Sequence, residues 1–215
     1  MNQTMTGLSI EIYSDVVCPW CYVGKRRLEQ ALDAVPEGHS AQVMWRPFQL
    51  NPTMPKAGLD RRVYLEAKFS GPGEMKGIQD RVAAAGLSVG LDFAFDRMER
   101  TPNTLDAHRL IWLARQEGRQ DDVVEALFYA YFTEGRDIGQ ADTLMSIAVG
   151  AGLDSGQVTG SLQSEEVLKA VRLEETRGHQ LGIRGVPYFI LNGRTIVSGA
   201  QPVETFVSKI AQATS

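Results

Sequence analysis

Apolar and polar residues alternate from Leu8 to Tyr13, and a period of two is typical of a half-buried β-strand. Apolar positions then recur at helical spacing from Val23 to Val35. A Pro-Glu-Gly sequence at 36–38 is expected to end that helix. Residues 41–48 predict a second strand, with Pro47 near its edge because a proline cannot donate to a neighbouring strand.

A long helical block follows a proline-containing loop at 51–55, and it extends from about Arg61 to Gly182. A short polar segment at 101–104 is typical of a helix start. The strongest helical patterns in the block lie over 121–132, 142–149 and 165–181. The first of these is apolar around much of its circumference, so we expect it to be buried on more than one side. Glycines between 150 and 160 predict turns.

The strand-like alternation of apolar and polar residues returns after Gly182. Residues 188–191 predict a strand, and Asn192-Gly193 is a strong signal for a two-residue β-hairpin. Residues 195–197 then form the returning strand, and residues 202–213 predict a closing helix.

The order of elements is therefore β-α-β, a helical block, and β-β-α. The strands at either end are too few to form stable sheets separately, so we expect one α/β sheet built from both ends of the chain. This reasoning predicts one domain from residues 8–55 and 183–213. Residues 61–182 would form a helical domain inserted into it, which a compact domain tolerates where its connecting ends lie at the surface.

The composition narrows the class of protein. The chain has 215 residues, of which 43% are hydrophobic and 22% charged, with a formal net charge of -4. These values are typical of a globular protein with a sizeable core. Without a cluster of basic residues or an apolar run of membrane-spanning length, neither nucleic acid nor a membrane is an expected partner. The polar N-terminus does not resemble a secretory signal, and two cysteines are few for a secreted domain, so we expect a cytoplasmic protein.

The only two cysteines, Cys18 and Cys21, lie three residues apart where the first strand ends. A helix that begins there places both on one face, close enough to form a disulfide. Pro19 suits the first helical position because it has no N–H to leave unpaired. The helix N-terminus favours an anion, so it should stabilise a thiolate at Cys18. Cys18 is also expected to be exposed, which makes it the attacking thiol, whereas Cys21, one turn deeper and more shielded, is close enough to be the resolving thiol.

Three neighbouring residues influence the charge of this thiolate. Trp20 is neutral, which argues against an extreme oxidant. Asp15 would oppose the thiolate if its side chain points inward, and Lys25 would offset that effect. The sequence does not rank these opposing effects.

The second chemical signal is a Gly-Val-Pro-Tyr-Phe sequence at 185–189. Pro187 opens a predicted internal strand, where a residue without an N–H is unusual. Its presence there predicts a special backbone, with a cis peptide bond after Val186. The backbone groups of Val186 would then pair with an extended substrate segment beside the cysteines.

These residues together resemble the DsbA-like branch of the thioredoxin superfamily, and the resemblance extends from Leu8 to about Ala211. Residues 14–24, Ser-Asp-Val-Val-Cys-Pro-Trp-Cys-Tyr-Val-Gly, are similar to FrnE-like dithiol oxidoreductases. Residues 102–104 and 107–110 also resemble that group. The resemblance implies a thioredoxin-like fold with a large helical insertion between its βαβ and ββα halves.

The same resemblance implies roles for individual residues. Cys18 would be the nucleophile, Cys21 the resolving thiol, Pro187 the cis-proline that faces them, and Val186 a backbone docking site. The second cysteine pair that some FrnE-like relatives carry is absent here. Related branches are the 2-hydroxychromene-2-carboxylate isomerases and the kappa-class glutathione transferases, which use serine at the nucleophile position and bind glutathione.

We therefore expect thiol–disulfide exchange on protein or small thiol substrates, without a metal or an organic cofactor. Glutathione is a candidate thiol substrate, and the backbone of Val186 and the Asn103 region are where it would bind. Pro19 and Trp20 are further candidates for substrate contact, although Trp20 has an equal claim to packing a helix end. For Asn103 a helix cap is the favoured role.

Other functions stay open at this stage. They are a glutathione-dependent isomerase or transferase, a non-enzymatic redox sensor, a structural disulfide, and a zinc site. A zinc site is disfavoured because His39, His108 and His179 lack metal-ligand spacing. His108 is expected to be an interior residue, and the aromatic residues at 128, 131 and 132 to belong to the core and not to a substrate groove.

Overall fold

The computed structural model describes residues 7–34, 41–69 and 72–215, so the predicted helix end at 36–38 and His39 lie outside the described residues. The helices and strands, in chain order, are β1 (Leu8–Ser14), α1 (Pro19–Asp33), β2 (Ala41–Pro47), β3 (Leu59–Asp60), α2 (Arg61–Lys68), α3 (Pro72–Leu87), β4 (Arg100–Thr101), α4 (Leu105–Gln116), α5 (Gln120–Phe132), α6 (Ala141–Gly150), α7 (Ser155–Gln163), α8 (Glu165–Gln180), β5 (Tyr188–Leu191), β6 (Thr195–Ser198) and α9 (Val203–Thr214). The predicted order of a βαβ unit, a helical block and a ββα unit is confirmed.

The central sheet has the strand order β2-β1-β5-β6, so both ends of the chain contribute to it. Strand β1 is parallel to β2 and antiparallel to β5, and β5 and β6 form an antiparallel hairpin. Asn192 and Gly193 have positive φ angles of 48° and 69°, which hairpin turns of this kind use. The connection is one residue longer than the predicted two-residue hairpin, because Leu191 pairs with Thr195. The predicted α/β fold, thioredoxin-like with a helical insertion, is confirmed.

Two features of the helical block differ from the prediction. Helix α7 occupies part of the 150–160 segment, where turns were predicted from glycines. The side chain of Asp154 accepts a hydrogen bond from the N–H of Gln157 at 2.9 Å and so caps this helix, whose inner face buries Val158 and Ser161. In addition, β3 and β4 form a two-residue antiparallel pair, which is too short to produce a period of two in the sequence.

One hydrophobic cluster runs through the strands and the inserted helices, and it includes Ile12 of β1 and Phe128 of α5. The rings of Tyr22 and Phe128 stack with a centroid distance of 4.8 Å and an interplanar angle of 14°. Phe128, Tyr131 and Phe132 are all buried, which confirms the core assignment for Phe128 and Phe132, whereas Tyr131 also lines a cavity. Because this packing joins α1 to α5, it holds the helix that carries the cysteines against the inserted block. The division into two domains stays a prediction.

Candidate active site

Cys18 lies at the junction between β1 and α1. Its N–H donates to the carbonyl of Asp15 at 3.0 Å, and its own carbonyl accepts the N–H of Cys21 at 2.9 Å. Cys18 is extended, with φ -95° and ψ 109°, and occupies the N-cap position, while Pro19 is the first helical residue. This geometry places the Cys18 side chain at the N-terminus of α1, where unpaired N–H groups favour an anion.

The two thiols differ in environment, and both are free in this structure. The exposed fraction is 5% for Cys18 and 1% for Cys21. Cys21 is the more shielded thiol, as expected, but the expectation of an exposed Cys18 is wrong, because this residue is buried even though it lines a cavity. Burial raises the pKa of the Cys21 thiol well above its usual value, and the hydrogen bond to Cys18 and the charge of Cys18 raise it further. Cys21 is therefore a protonated thiol at neutral pH in the reduced protein.

The far end of the chain meets Cys18 at Val186. The Cys18 thiol donates a hydrogen bond to the Val186 carbonyl, with 3.6 Å between sulfur and oxygen. The peptide bond between Val186 and Pro187 is cis. The structure thus brings together Cys18, Cys21, Val186 and Pro187, although 168 residues separate Cys18 from Val186.

Gly24, which local sequence patterns did not single out, permits this close approach. It lies three residues beyond Cys21 on α1, and a Cβ atom there would be 3.0 Å from Cγ of Pro187 and 3.1 Å from Cζ of Phe189. Such distances are tighter than ordinary van der Waals contacts, so a larger side chain would move the Pro187 segment away from α1. The signal in the sequence is a glycine inside a predicted helix, where glycine costs about 1 kcal/mol relative to alanine.

Gly24→Val is expected to slow thiol–disulfide exchange by roughly 10- to 100-fold, because displacements of up to about 1 Å at a reacting centre have effects of this size. Overpacking should also lower the free energy of unfolding by about 1–3 kcal/mol. Stopped-flow kinetics with a disulfide substrate and denaturant titration would measure both quantities. Gly160→Val is the matched control, since Gly160 is also helical but a Cβ atom at that position would have nothing within 4 Å. Equal losses in the two variants would contradict the positioning role of Gly24.

A cavity of about 210 Å³ opens beside Cys18. Pro19 and Trp20, both predicted to contact substrate, contribute to its wall. The other residues that line it are Val17, Cys18, Leu50, Asn51, Arg61, Tyr64, Leu65, Lys68, Phe69, Met75, Ile78, Gln79, Val82, Phe95, Thr101 and Tyr131. Most of the wall therefore comes from α2, α3 and loops of the helical block, which local sequence patterns did not connect to the cysteines.

Two buried carboxylates fix the loop that follows β2. The N–H of Gln49 donates to Glu175 at 2.7 Å, and the N–H of Leu50 donates to Asp15 at 2.7 Å. The sequence left open whether the Asp15 side chain points inward, and the structure shows that it does. One of its carboxylate oxygens accepts the Leu50 N–H. Its other oxygen lies 3.5 Å from Nε2 of His108, which is buried as expected. Because Leu50 lines the cavity, these contacts link the cavity wall to the loop that carries Cys18.

Lys25, which the sequence left as a group that could offset Asp15, is paired with other carboxylates. Its ammonium contacts the carboxylates of Glu29, Asp121 and Glu125, the last at 3.0 Å. Burial disfavours the charged ammonium, yet the three carboxylates raise the pKa of Lys25 above its ordinary value. The side chain lies on the face of α1 that packs against α5, where it joins the two helices.

The structure places Asn103 outside the cavity wall. Its amide donates to the Met54 carbonyl at 2.7 Å, and its side-chain oxygen accepts the N–H of Leu105 at 2.9 Å, at the start of α4. These contacts agree with the capping role, and substrate binding by Asn103 stays a prediction. His179 packs against Phe48, with 4.9 Å between ring centroids. Among the described residues no group of His, Cys, Asp or Glu is arranged to hold a metal ion, and no helix is long and apolar enough to cross a membrane.

Two sulfurs at a helix N-terminus, opposite a Val-Pro segment that precedes a strand of a four-stranded mixed sheet, are typical of the thioredoxin-like class of redox proteins. The chain belongs to the DSBA-like thioredoxin domain family, whose model matches residues 9–211. The predicted membership of the DsbA-like branch is confirmed.

Individual relatives agree with this assignment. The uncharacterized protein YwbO of Bacillus subtilis (strain 168) is 28% identical over 203 residues, covering 94% of this chain and 95% of YwbO. The crystal structure of the probable DsbA oxidoreductase SCO1869 from Streptomyces coelicolor is 36% identical, with a TM-score of 0.88 over 96% of this chain and 89% of that one. A 2-hydroxychromene-2-carboxylate isomerase shares the fold, with 15% identity and a TM-score of 0.73 over 95% of each chain.

Proposed function

We propose that this protein is a FrnE-like thiol–disulfide oxidoreductase that uses Cys18 and Cys21 on protein or small thiol substrates. The observation that carries the proposal is the position of the Cys18 sulfur, at the N-terminus of α1, 3.6 Å from the Val186 carbonyl and beside a cavity. A buried structural disulfide would need neither the cavity nor the opposing backbone segment. A disulfide between residues three apart would also constrain the unfolded chain very little.

In the reducing direction, the Cys18 thiolate attacks one sulfur of a substrate disulfide. That S–S bond breaks, and the departing substrate thiolate takes a proton from solvent. Cys21 then loses its proton and attacks the Cys18 sulfur of the mixed disulfide, which releases the second substrate thiolate. The protein has lost two electrons, the substrate has gained two, and the Cys18–Cys21 disulfide has formed. The oxidising direction runs through the same steps in reverse.

Backbone and side-chain groups around Cys18 would position the substrate. The Val186 carbonyl, which accepts the thiol hydrogen bond in the reduced protein, is freed once Cys18 is in a mixed disulfide. It then accepts an N–H from an extended substrate segment, as strand addition at an exposed edge does. Pro19 and Trp20 contribute to the wall of the cavity beside Cys18. The chemistry needs no metal or organic cofactor, and glutathione would enter as a thiol substrate, in a cytoplasmic location.

Equilibration with glutathione redox buffers, followed by acid quenching, alkylation and mass spectrometry, tests the proposal. Both thiols should disappear together as a Cys18–Cys21 disulfide, at a potential between about -120 and -270 mV. The protein should also catalyse reduction of insulin by dithiothreitol. Failure to form the intramolecular disulfide would overturn the proposal. A disulfide that forms without any catalysis of insulin or small disulfides would instead indicate a redox sensor.

A further inference from the structure

One face of α2 forms part of the cavity wall beside Cys18. The residues on this face are Arg61, Tyr64, Leu65 and Lys68. Their spacing of three, four and seven positions places all four side chains on the same side of the helix. Helix α2 therefore presents two cations, one hydroxyl and one aliphatic side chain to the space that a substrate on Cys18 would occupy.

Both cations in the cavity wall lack an acidic partner among the described residues. The guanidinium of Arg61 lies 3.4 Å from the Tyr131 hydroxyl and 5.8 Å from the Phe95 ring centroid. The ammonium of Lys68 donates to the Tyr64 hydroxyl at 2.8 Å. The lining residues include no Asp or Glu, although the chain as a whole has a net charge of -4.

Three other buried or half-buried cations of this protein are paired with carboxylates, whereas Arg27 and Arg100 donate to backbone carbonyls. Lys25 contacts three carboxylates, Arg46 contacts Glu11 and Glu174, and Arg115 also contacts Glu174. Within the part of the chain that the structure describes, the half-buried guanidinium of Arg61 contacts a hydroxyl and an aromatic ring and no carboxylate. A carboxylate that enters the cavity would give it the bidentate partner that a guanidinium favours.

The size and walls of the cavity restrict what accompanies the carboxylate. A cavity of about 150 Å³ lined by apolar side chains holds benzene. The volume here is about 210 Å³, and side chains such as Leu65, Ile78 and Phe95 provide apolar contacts. One aromatic ring or branched aliphatic group with a carboxylate beside it would therefore fit.

We infer that this cavity selects disulfides and thiols that carry a carboxylate next to an apolar group, with Arg61 as the main specificity-determining residue. The inference rests on the proposed function, because the selected group must be attached to the sulfur that Cys18 attacks. Lys68 is exposed, so solvent and salt screen its charge and its contribution is smaller. The same chemistry has two sources, a small organic disulfide or an acidic segment of a protein.

The test uses the reduced full-length protein and two aromatic disulfides, 3,3′-dithiodibenzoate and its uncharged diamide. Each rate of reaction with Cys18 is divided by the rate of the same disulfide with dithiothreitol, which removes differences in intrinsic reactivity. The corrected preference for the dicarboxylate should be about tenfold at low salt, because complementary charge raises association rates. Arg61→Gln should reduce it to about twofold.

Arg62→Gln is the matched control, since it removes the same charge from the next residue of α2. Arg62 is exposed, contacts Glu66 at 3.9 Å and does not line the cavity. This variant should keep the wild-type preference. An unchanged rate with the diamide would show that Arg61→Gln leaves the site folded.

Peptide disulfides with Phe-Glu or Phe-Gln next to the cysteine distinguish the two sources. Faster reaction of the Glu peptide than of the Gln peptide would identify an acidic protein segment as the substrate. A preference seen only with the benzoates would identify a small organic disulfide as the substrate. Equal corrected rates for charged and uncharged members of both pairs would overturn the inference while leaving the proposed function intact. No reaction with any of the four disulfides would instead contradict the proposed function.

Discussion

Cys18→Ser is expected to lower the rate of disulfide turnover by at least about 10⁴-fold, the scale seen when a covalent nucleophile is removed from an enzyme. A serine hydroxyl at a helix N-terminus is not ionised at neutral pH and does not form a stable bond to sulfur. The rate of insulin reduction in the presence of dithiothreitol measures this loss. Thermal denaturation should be nearly unchanged, because the substitution replaces one small side chain by another.

Cys21→Ser is the matched control, since it removes the other sulfur of the pair. It should stop turnover after the first step and accumulate mixed disulfides through Cys18, because no second thiol is present to resolve them. Mass spectrometry of alkylated complexes would identify the linked residue. Equal trapping through both single variants would remove the assignment of Cys18 as nucleophile and Cys21 as resolving thiol.

Phe128→Ala is expected to lower the free energy of unfolding by about 3–5 kcal/mol, the usual cost of removing a buried aromatic side chain. Phe128 has an exposed fraction of 0% and stacks on Tyr22, the residue after Cys21. The substitution leaves a void between α1 and α5, which the surrounding helices fill only in part. Denaturant titration followed by circular dichroism measures the change.

Tyr129→Ala tests whether burial, and not the loss of an aromatic residue from α5, causes this effect. Tyr129 is the next residue of the same helix, but 49% of its surface is exposed. Its substitution should change the free energy of unfolding by less than about 1 kcal/mol. Similar losses for the two variants would contradict burial of Phe128 as the cause of its effect.

Local patterns were sufficient for much of the fold. The strand at 8–14, the Asn192-Gly193 hairpin and the closing helix each follow from residues that are close in sequence. Cys18 and Cys21 could be recognised for the same reason, since their spacing alone determines whether they can meet. Pro187 was recognised because a proline in an internal strand is chemically unusual.

The remaining features depend on contacts between distant segments. Lys25 appeared free to act on the thiolate, but helix α5 supplies two of its three acidic partners. Gly24 gains significance only when Pro187 lies against it, and Arg61 only when α2 lies beside Cys18. Helix α7 was missed because its glycines have a low helix propensity. The helix forms all the same, since burial of Val158 outweighs that propensity and the glycines face open space or the helix's own cap.

The loop after β2 has a consequence for altering this protein. Its backbone N–H groups donate to Glu175 of α8 and to Asp15, which lies in the turn before α1. An engineer who enlarges the cavity at Leu50 would keep both anchors and change only the side chain. A substitution at Glu175, far along the polypeptide from the sulfurs, should in contrast loosen this wall and broaden the range of accepted substrates.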